Sequence, residues 1–267
     1  MAALEGKGII IVGGTTGLGL SAAKACIREG ARLVVSGRTE TSLGEAARVL
    51  GDGAIGQAGD ASDPASAPRL IEACIRRYGR FDALYHVAGG SGRKMGDGPL
   101  HEITDEGWAA TIALNQTSAF NSARAACRIF LDRKTSGSIL LMGSVLGYSP
   151  SPTFFSTHAY AATKSAVIGF ARACAAYYAK NDIRFNVIAP ALVETPVAQR
   201  AAGDEKILHF IHTKQPLDGG RIGRPEDLDA AVVWLLSEGS RFVTGQTITV
   251  DGGWSVSEGQ IPGGGAT

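Results

Sequence analysis

Short apolar runs alternate with longer amphipathic segments along most of the chain. An uninterrupted apolar strand is buried on both faces, as in a parallel sheet covered by helices, whereas a sheet with one wet face alternates apolar and polar residues. The pattern therefore predicts strands of a parallel sheet. The six predicted strands are residues 8–12, 32–35, 83–85, 138–142, 184–188 and 247–250.

The segments between these runs have the periodicity of helices that cover a sheet with one apolar face. The predicted helices are residues 18–29, 64–78, 106–132, 158–180 and 225–236. Strands that alternate with helices indicate βαβ units. The sequence therefore predicts an α/β fold with one doubly wound, mostly parallel sheet flanked by helices.

The organisation along the chain favours a single domain over residues 1–255, because no internal repeat and no Pro- or Ser-rich linker divides it. Residues 191–222 are less periodic and follow the carboxyl end of a predicted strand, where α/β folds bind ligands. We expect them to form a mobile lid. Residues 256–267, which include three consecutive glycines, are expected to form a flexible tail.

Composition and charge narrow the class of protein. The 267 residues include 26 Lys and Arg against 25 Asp and Glu, and no stretch concentrates basic side chains, which disfavours nucleic-acid binding. The first residues do not have the pattern of a leader, and no apolar run approaches the roughly 18 to 20 residues that span a bilayer. We expect a cytoplasmic protein that binds neither nucleic acid nor membrane.

Metal and hydrolase chemistry are also disfavoured. The five His and four Cys residues have none of the spacings of metal ligands, so we predict no metal site. Ser144 does not lie in the G-x-S-x-G pattern of a hydrolase nucleophile.

The first predicted strand leads directly into a glycine-rich segment that opens a helix, GGTTGLG at residues 13–19. Glycines allow the backbone to approach a pyrophosphate, and a helix N-terminus offers unpaired N–H groups to it. A tight turn without a ligand would carry the same glycines. The absence of Gly-Lys-Ser/Thr disfavours a P-loop nucleotidase.

Several ordered motifs together resemble those of the short-chain dehydrogenase/reductase family over nearly the whole chain, roughly residues 7–253. The family's T-G-x-x-x-G-x-G turn is matched with Val12 in place of Thr, and its Asn-Asn-Ala-Gly is present as His86-Val87-Ala88-Gly89. Its Pro-Gly is present as Pro190-Ala191. The further matches are Asn115, Ser144, the pair Tyr160 and Lys164, and Val-Asp-Gly-Gly at residues 250–253.

The resemblance implies a single-domain Rossmann-type fold with a seven-stranded sheet, an NAD(P) cofactor and a set of site residues. The implied catalytic residues are Asn115, Ser144, Tyr160 and Lys164. The glycine loop and the resemblance together give these candidate cofactor contacts: Gly13, Thr15, Thr16, Gly17, Leu18, Gly19, Arg38, Asp60, Ala61, Ala88, Gly89, Tyr160, Lys164, Pro190, Val193 and Thr195.

Tyr160 and Lys164 are four residues apart, so on a helix their side chains share one face. A free phenol has a pKa near 10, and a neighbouring ammonium is expected to lower it, which would make Tyr160 a proton donor and acceptor. The resemblance implies that Ser144 holds the substrate oxygen and that Asn115 positions a water for proton relay. By itself such a pair also suits an aromatic anchor beside a solvated charge.

The residues at the end of the second predicted strand indicate whether the cofactor is NADP or NAD. An acidic residue about 20 positions beyond the glycines normally binds the ribose hydroxyls and repels a 2′-phosphate, but the strand leads into Ser36-Gly37-Arg38. Arg38 offers donors that suit a phosphate, and Thr15 or Thr16 adds a hydroxyl. We therefore expect NADP rather than NAD. Glu40 would serve as the acid if the strand were longer.

The sequence thus predicts an NADP-dependent oxidoreductase that interconverts a ketone or aldehyde and an alcohol, with Tyr160 as general acid/base. A 3-oxoacyl thioester reductase is one alternative. The replacements His86, Val87 and Ala191 leave a non-catalytic NADP-binding sensor or scaffold as another. The candidate walls of the substrate pocket are residues 91–100, residues 148–155 and the segment after Val193.

We also expect a homotetramer. The predicted helices 106–132 and 158–180 are long and rich in small residues that permit close helix packing between subunits, and the resemblance indicates the same surfaces. These residues include Ala125, Ala126, Ala173, Ala175 and Ala176.

Overall fold

The computed structural model describes residues 2–198, 201 and 203–260. Its strands are β1 (Gly8–Val12), β2 (Arg32–Gly37), β3 (Ala54–Ala58), β4 (Ala83–His86), β5 (Gly137–Met142), β6 (Ile183–Pro190) and β7 (Thr247–Val250). They form one seven-stranded sheet in the order β3-β2-β1-β4-β5-β6-β7, with all neighbouring strands parallel. The predicted doubly wound, single-domain fold is confirmed.

The helices described are α1 (Gly17–Arg28), α2 (Glu40–Leu50), α3 (Ser66–Tyr78), α4 (Asp105–Ile112), α5 (Ser118–Arg133), α6 (His158–Tyr178), α7 (Glu205–Lys214) and α8 (Asp229–Leu236). The segment predicted as one helix over 106–132 is divided into α4 and α5 by a π-helical turn, Ala113–Thr117. Within the described part of the chain, no helix is long and apolar enough to cross a membrane.

Both faces of the sheet are buried, which explains the continuous apolar runs. Ile10 of β1 packs into a cluster with residues of α3, α5 and α6 on one face, whereas Ile9 and Ile11 pack with residues of α1 and α8 on the other. Successive side chains of a strand point to opposite faces, so each strand contributes to both layers.

The strand β3 was not among the six predicted from apolar runs. It lies at the edge of the sheet, and none of its five residues is fully buried. Its sequence, AIGQA, therefore lacks the continuous apolar character of the central strands.

The segment 191–222 contains the helix α7, which the sequence analysis did not predict. Phe210 of this helix packs in a separate cluster with Trp254, at 5.8 Å between ring centroids, and its ring lies 5.2 Å from that of Phe154. The segment thus has a small apolar core of its own. Its motion as a lid stays a prediction.

The first part of the predicted tail contacts α7. The amide N–H of Gln260 donates to Oγ1 of Thr213 at 2.7 Å, and Nζ of Lys214 donates to the Ser257 carbonyl. Residues 261–267, the remainder of that prediction, lie outside the described residues.

Candidate active site

The glycine loop leaves the start of α1 open. Thr16 is the N-cap residue, but its side chain makes no capping hydrogen bond, and the first turn contains no acidic residue. The first N–H groups of a helix have no intrahelical acceptors and carry a partial positive charge. This helix start is therefore suited to an anion.

The glycines of the loop allow the backbone after β1 and the backbone after β4 to approach each other closely. A Cβ on Gly19 would overlap the carbonyl oxygen of Gly13, and a Cβ on Gly13 would lie 2.8 Å from the amide nitrogen of Ala88. Gly13 also has a φ of +87°, which favours glycine. The loop after β1 and the segment after β4 consequently lie against each other.

The segment after β6 lies against the same loop. A Cβ on Gly17 would be 3.3 Å from Cγ2 of Thr195. Pro190 ends β6, and Val193 is buried and forms an isolated bridge with Gly223. The structure therefore brings the candidate cofactor contacts of three strand ends to one edge of the sheet.

This segment is held by a buried amide side chain. Oε1 of Gln215 accepts the N–H of Leu192 at 3.0 Å, and Nε2 of Gln215 donates to the carbonyl of Leu192 at 3.2 Å. Gln215 directly follows α7, so the start of the predicted lid segment is fastened to the end of its helix.

Ser144, Tyr160 and Lys164 meet at the carboxyl end of β5. Ser144 follows the strand by two residues, and its hydroxyl hydrogen-bonds the phenol of Tyr160 from α6. Nζ of Lys164 lies 5.5 Å from the centroid of the Tyr160 ring and donates to the carbonyl of Met142 at 2.9 Å. The i, i+4 spacing predicted on one helix face is thus realised against the strand.

The acidities of this group differ from the expectation. Burial raises the pKa of Tyr160, and the hydrogen bond from Ser144 opposes the rise. Burial also lowers the pKa of Lys164 to about 8. The expected lowering of the Tyr160 pKa by the ammonium is wrong for this structure, because desolvation disfavours both charged forms.

Asn115 lies in the π-helical turn between α4 and α5 and is buried. Its Oδ1 accepts the N–H of Gly90 at 3.0 Å, while its Nδ2 donates to the carbonyls of Gly90 and Thr111, both at 3.0 Å. The side-chain amide is therefore engaged by backbone groups. π-Turns within helices are frequent at functional sites.

Gly89 connects Asn115 to Lys164. A Cβ on Gly89 would lie 2.7 Å from Oδ1 of Asn115 and 3.5 Å from Nζ of Lys164. The backbone after β4 thus passes between the two side chains, and all four predicted catalytic residues border one small region.

His86, in place of the family's first asparagine, is buried beneath this region. Its Nδ1 lies 3.0 Å from Oγ of Ser122, and its Nε2 lies 3.2 Å from Oγ of Ser118. Burial, together with the charge of Lys164, lowers the pKa of His86 to about 3. The ring is therefore neutral near pH 7 and joins β4 to α5 through hydrogen bonds.

Arg38 lies beyond the end of β2. The strand ends at Gly37, Arg38 is exposed, and Glu40 is the first residue of α2, whose N-cap is Thr39 as its residue type suggests. A Cβ on Gly37 would lie 2.5 Å from Oγ1 of Thr15, so Thr15 of the glycine loop is next to this strand end. Arg38, rather than Glu40, directly follows the strand.

Asp60 and Ala61 follow β3, farther along the same sheet edge. Oδ1 of Asp60 accepts the N–H and the hydroxyl of Ser62, both at 2.8 Å, and the N–H of Gly59 donates to the Gly37 carbonyl at 3.0 Å. These residues are thus beside Arg38 rather than beside Tyr160.

Asp97 is a further residue of this region, and it was not predicted from the sequence. Its carboxylate accepts the N–H groups of Ala159 and Tyr160 at the start of α6. The partners are more than 60 residues apart in the chain, so no local spacing could have indicated the contact. Among the residues that the structure describes, no group of three or more His, Cys, Asp or Glu side chains could hold a metal ion.

Replacing Lys164 by Met tests the cost of its buried charge. The pKa of Lys164 is about 8 in the folded state and near 10.5 in the unfolded state. Between these two pH values the unfolded state binds more protons than the folded state, so the free energy of unfolding of the wild type rises with pH. Below pH 8 the penalty corresponds to about 3 kcal/mol.

We expect denaturant unfolding near pH 7 to give a larger free energy of unfolding for Lys164→Met than for wild type, and a smaller difference near pH 10. Exposed Lys94 provides the control, because Lys94→Met should show no such change with pH. A difference that is the same at both pH values would contradict the prediction.

Comparison with known proteins supports the motif matches. A family model described as enoyl-(acyl carrier protein) reductase matches residues 12–255. A 2-keto-3-deoxy-L-fuconate dehydrogenase of Xanthomonas campestris pv. campestris is 33% identical over 258 residues, which cover 94% of this chain and 81% of that protein. An L-rhamnose 1-dehydrogenase (NAD(P)(+)) of Azotobacter vinelandii is 30% identical over 261 residues, which cover 94% and 97%.

The fold is shared with a solved structure as well. The crystal structure of gox2181 matches with a TM-score of 0.88 and 26% sequence identity, over 96% of this chain and 98% of that chain. The family model spans the chain from the last residue of β1 to beyond β7, and the two dehydrogenases match across almost the whole chain. The chain belongs to the short-chain dehydrogenase/reductase family of oxidoreductases.

Proposed function

We propose that the chain is a cytoplasmic, NADP-dependent oxidoreductase that interconverts a ketone or aldehyde and the corresponding alcohol. The observation that carries the proposal is the meeting of Ser144, Tyr160 and Lys164 at the strand edge where the glycine loop also lies. A non-catalytic sensor would have no need for this complete proton-transfer group.

The residues present fit a dinucleotide. The uncapped start of α1 would receive the pyrophosphate, because the first N–H groups of a helix have no intrahelical acceptors. Lys164 and Thr195 would hold the nicotinamide end. When bound, the nicotinamide supplies the hydride in reduction and accepts it in oxidation.

Proton transfer falls to Tyr160. In reduction, the Ser144 hydroxyl holds the substrate carbonyl oxygen, and the Tyr160 phenol gives its proton to that oxygen as the carbon gains hydride. In oxidation, Tyr160 takes the proton from the alcohol. Its raised pKa keeps the phenol protonated near pH 7, which suits the reductive direction in particular.

Lys164 supplies the proton that Tyr160 loses. Because its pKa is about 8, the ammonium can release a proton near neutral pH and regain it from solvent. The side-chain amide of Asn115 is engaged by Gly90 and Thr111, so we propose that Asn115 holds the backbone at Gly89 beside Lys164 instead of binding a water through its amide.

Two substrate classes have specific support. Two relatives are named for a sugar acid and a sugar, which favours a polyhydroxylated carbonyl or alcohol. A 3-oxoacyl-[acyl-carrier-protein] reductase of Vibrio cholerae is 30% identical over 250 residues, which favours a 3-oxoacyl thioester. The candidate pocket walls that would decide include Phe154, whose ring packs against Phe210 of the proposed lid.

The outer face of α5 and α6 supports a homotetramer. Only some of the alanines on which the expectation was based lie on that face. Ala125, Ala126 and Ala175 are buried within the protomer itself, because they pack against the sheet. Ala173 and Ala176 are exposed. Beside them lie Phe120, which is 41% exposed, and Tyr177, which is 64% exposed. We propose that a second subunit covers this face.

Replacing Tyr160 by Phe should abolish turnover of every carbonyl and alcohol in a substrate panel while leaving NADPH binding intact, since only the phenolic oxygen is lost. Lys164→Ala should lose both turnover and cofactor affinity. The assay is the reduced-nicotinamide absorbance, with cofactor binding measured by fluorescence. Tyr78→Phe on α3, whose hydroxyl donates to the Leu33 carbonyl at the opposite edge of the sheet, is the matched control and should retain full activity. A Tyr160→Phe enzyme with most of its activity would exclude this mechanism.

Replacing Arg38 by Ala should weaken NADPH binding by about ten- to a hundredfold, because charge-assisted hydrogen bonds to the 2′-phosphate are lost. NADH, which lacks that phosphate, should bind almost as before. Arg48→Ala, an exposed arginine on α2, is the control and should change neither affinity. Tighter binding of NADH than of NADPH by the wild type would overturn the assignment.

Replacing exposed Ala173 by Arg should dissociate the tetramer, because a long charged side chain prevents close approach of α6 from a second subunit. Light scattering at micromolar concentration should give the tetramer mass for the wild type and a lower mass for the variant. Ala47→Arg on α2, also exposed, should leave the mass unchanged. A monomer mass for the wild type would disprove the assembly.

A further inference from the structure

The helix α6, which carries Tyr160 and Lys164, has no capping side chain at its N-cap residue or in its first turn. Thr157 is the N-cap residue of α6, but its side chain makes no capping hydrogen bond, and the first turn has no acidic residue. The start of this helix is buried at Thr157 and Ala159. Buried N–H groups need acceptors, so the first turn depends on another part of the chain.

Asp97 supplies those acceptors. Oδ1 of Asp97 accepts the N–H of Ala159 at 3.0 Å, and Oδ2 accepts the N–H of Tyr160 at 2.9 Å. The preceding amide, that of His158, donates to the carbonyl of Gly98 at 3.2 Å. Three successive N–H groups of the first turn are thus held by two adjacent residues of the loop after β4.

The carboxylate is committed to this contact. Asp97 is only 5% exposed, and both of its oxygens are occupied by backbone donors of α6. A bond from a backbone N–H to an ionised carboxylate is roughly twice as strong as one between neutral groups, and a negative charge is favoured at a helix N-terminus. Asp97 is therefore unsuited to binding substrate and well suited to fixing the helix.

The loop itself holds Asp97 in place. The N–H of Asp97 donates to the carbonyl of Gly92 at 3.1 Å, as does that of Met95 at 2.7 Å. A Cβ on Gly92 would overlap Oγ1 of Thr111 and lie 2.9 Å from Cβ of Asp97, so the turn packs tightly on α4. Gly90, at the start of this loop, is held by Asn115.

We propose that Asp97 is a positioning residue for Tyr160, a role that rests on the proposed function of Tyr160 as proton donor. The carboxylate binds the backbone of the residue whose phenol must meet the Ser144 hydroxyl. A shift of the first turn of α6 moves the phenol relative to β5, and the loop that carries Asp97 is one of the candidate walls of the substrate pocket. Asp97 thereby sets the phenol against the substrate.

The test begins with Asp97→Asn, which has the same shape but directs an amide group at a backbone donor. We expect kcat to fall by about ten- to a hundredfold, the scale of a misplaced catalytic group, with cofactor affinity unchanged. Ser237→Ala, which removes a capping hydroxyl from the turn Glu238–Ser240, should lower the melting temperature without changing kcat. Unchanged kcat in Asp97→Asn would overturn the proposal.

A second substitution separates positioning from a general loss of stability. An Asp at the N-cap, Thr157→Asp, can accept the N–H groups of Ala159 and Tyr160 locally, since N-cap side chains bond the second and third amides of a helix. Adding it to Asp97→Asn should restore kcat. Recovery of the melting temperature without recovery of kcat would overturn the proposal, and the double variant remains decisive if Asp97→Asn alone does not fold.

Tyr160→Phe in the same assay separates a failure of the proposed proton-donor role of Tyr160 from a failure of the positioning role of Asp97. If Tyr160→Phe remains active, the proposed function of Tyr160 fails and the role of Asp97 fails with it. If Tyr160→Phe is inactive while Asp97→Asn has full kcat, only the positioning role is wrong. Loss of kcat in both, with rescue by Thr157→Asp, is the expected result.

Discussion

The burial of one ammonium group constrains the whole site. Lys164 is 2% exposed, and its Nζ has a single hydrogen bond among those described, to the Met142 carbonyl. A charge so poorly solvated is costly, which is why its pKa falls and why the group is ready to exchange a proton. The same charge acts on His86 below it, where burial and the ammonium together keep the imidazole neutral.

The fold could be predicted where burial of an element produces a recognisable pattern of apolar residues in the sequence. Strands covered on both faces have continuous apolar runs, so all but β3 were found, and β3 escaped because it is a partly exposed edge strand. The helix before and after Asn115 was predicted, but its π-helical turn was not. Nothing in the residues ALNQT specifies an extra residue in that turn, from which Asn115 reaches the distant backbone of Gly90.

The site could be predicted only as far as local spacing reaches. The four-residue interval between Tyr160 and Lys164 places both on one helix face, and the glycine loop is recognisable because it joins a strand to a helix. The capping of α6 by Asp97 depends on the fold, which brings distant segments together. The direction of the Tyr160 pKa depends on desolvation, which a sequence does not display.

The aromatic contacts of α7 constrain how the proposed lid can move. Phe210 packs against Trp254, which follows β7, and residues 257 and 260 hydrogen-bond the end of the same helix. Any outward movement of α7 must separate these rings or carry the following segment with it. In enzymes whose slowest step is product release, such a barrier sets the turnover number. The packing around Trp254 would then govern how quickly each product leaves.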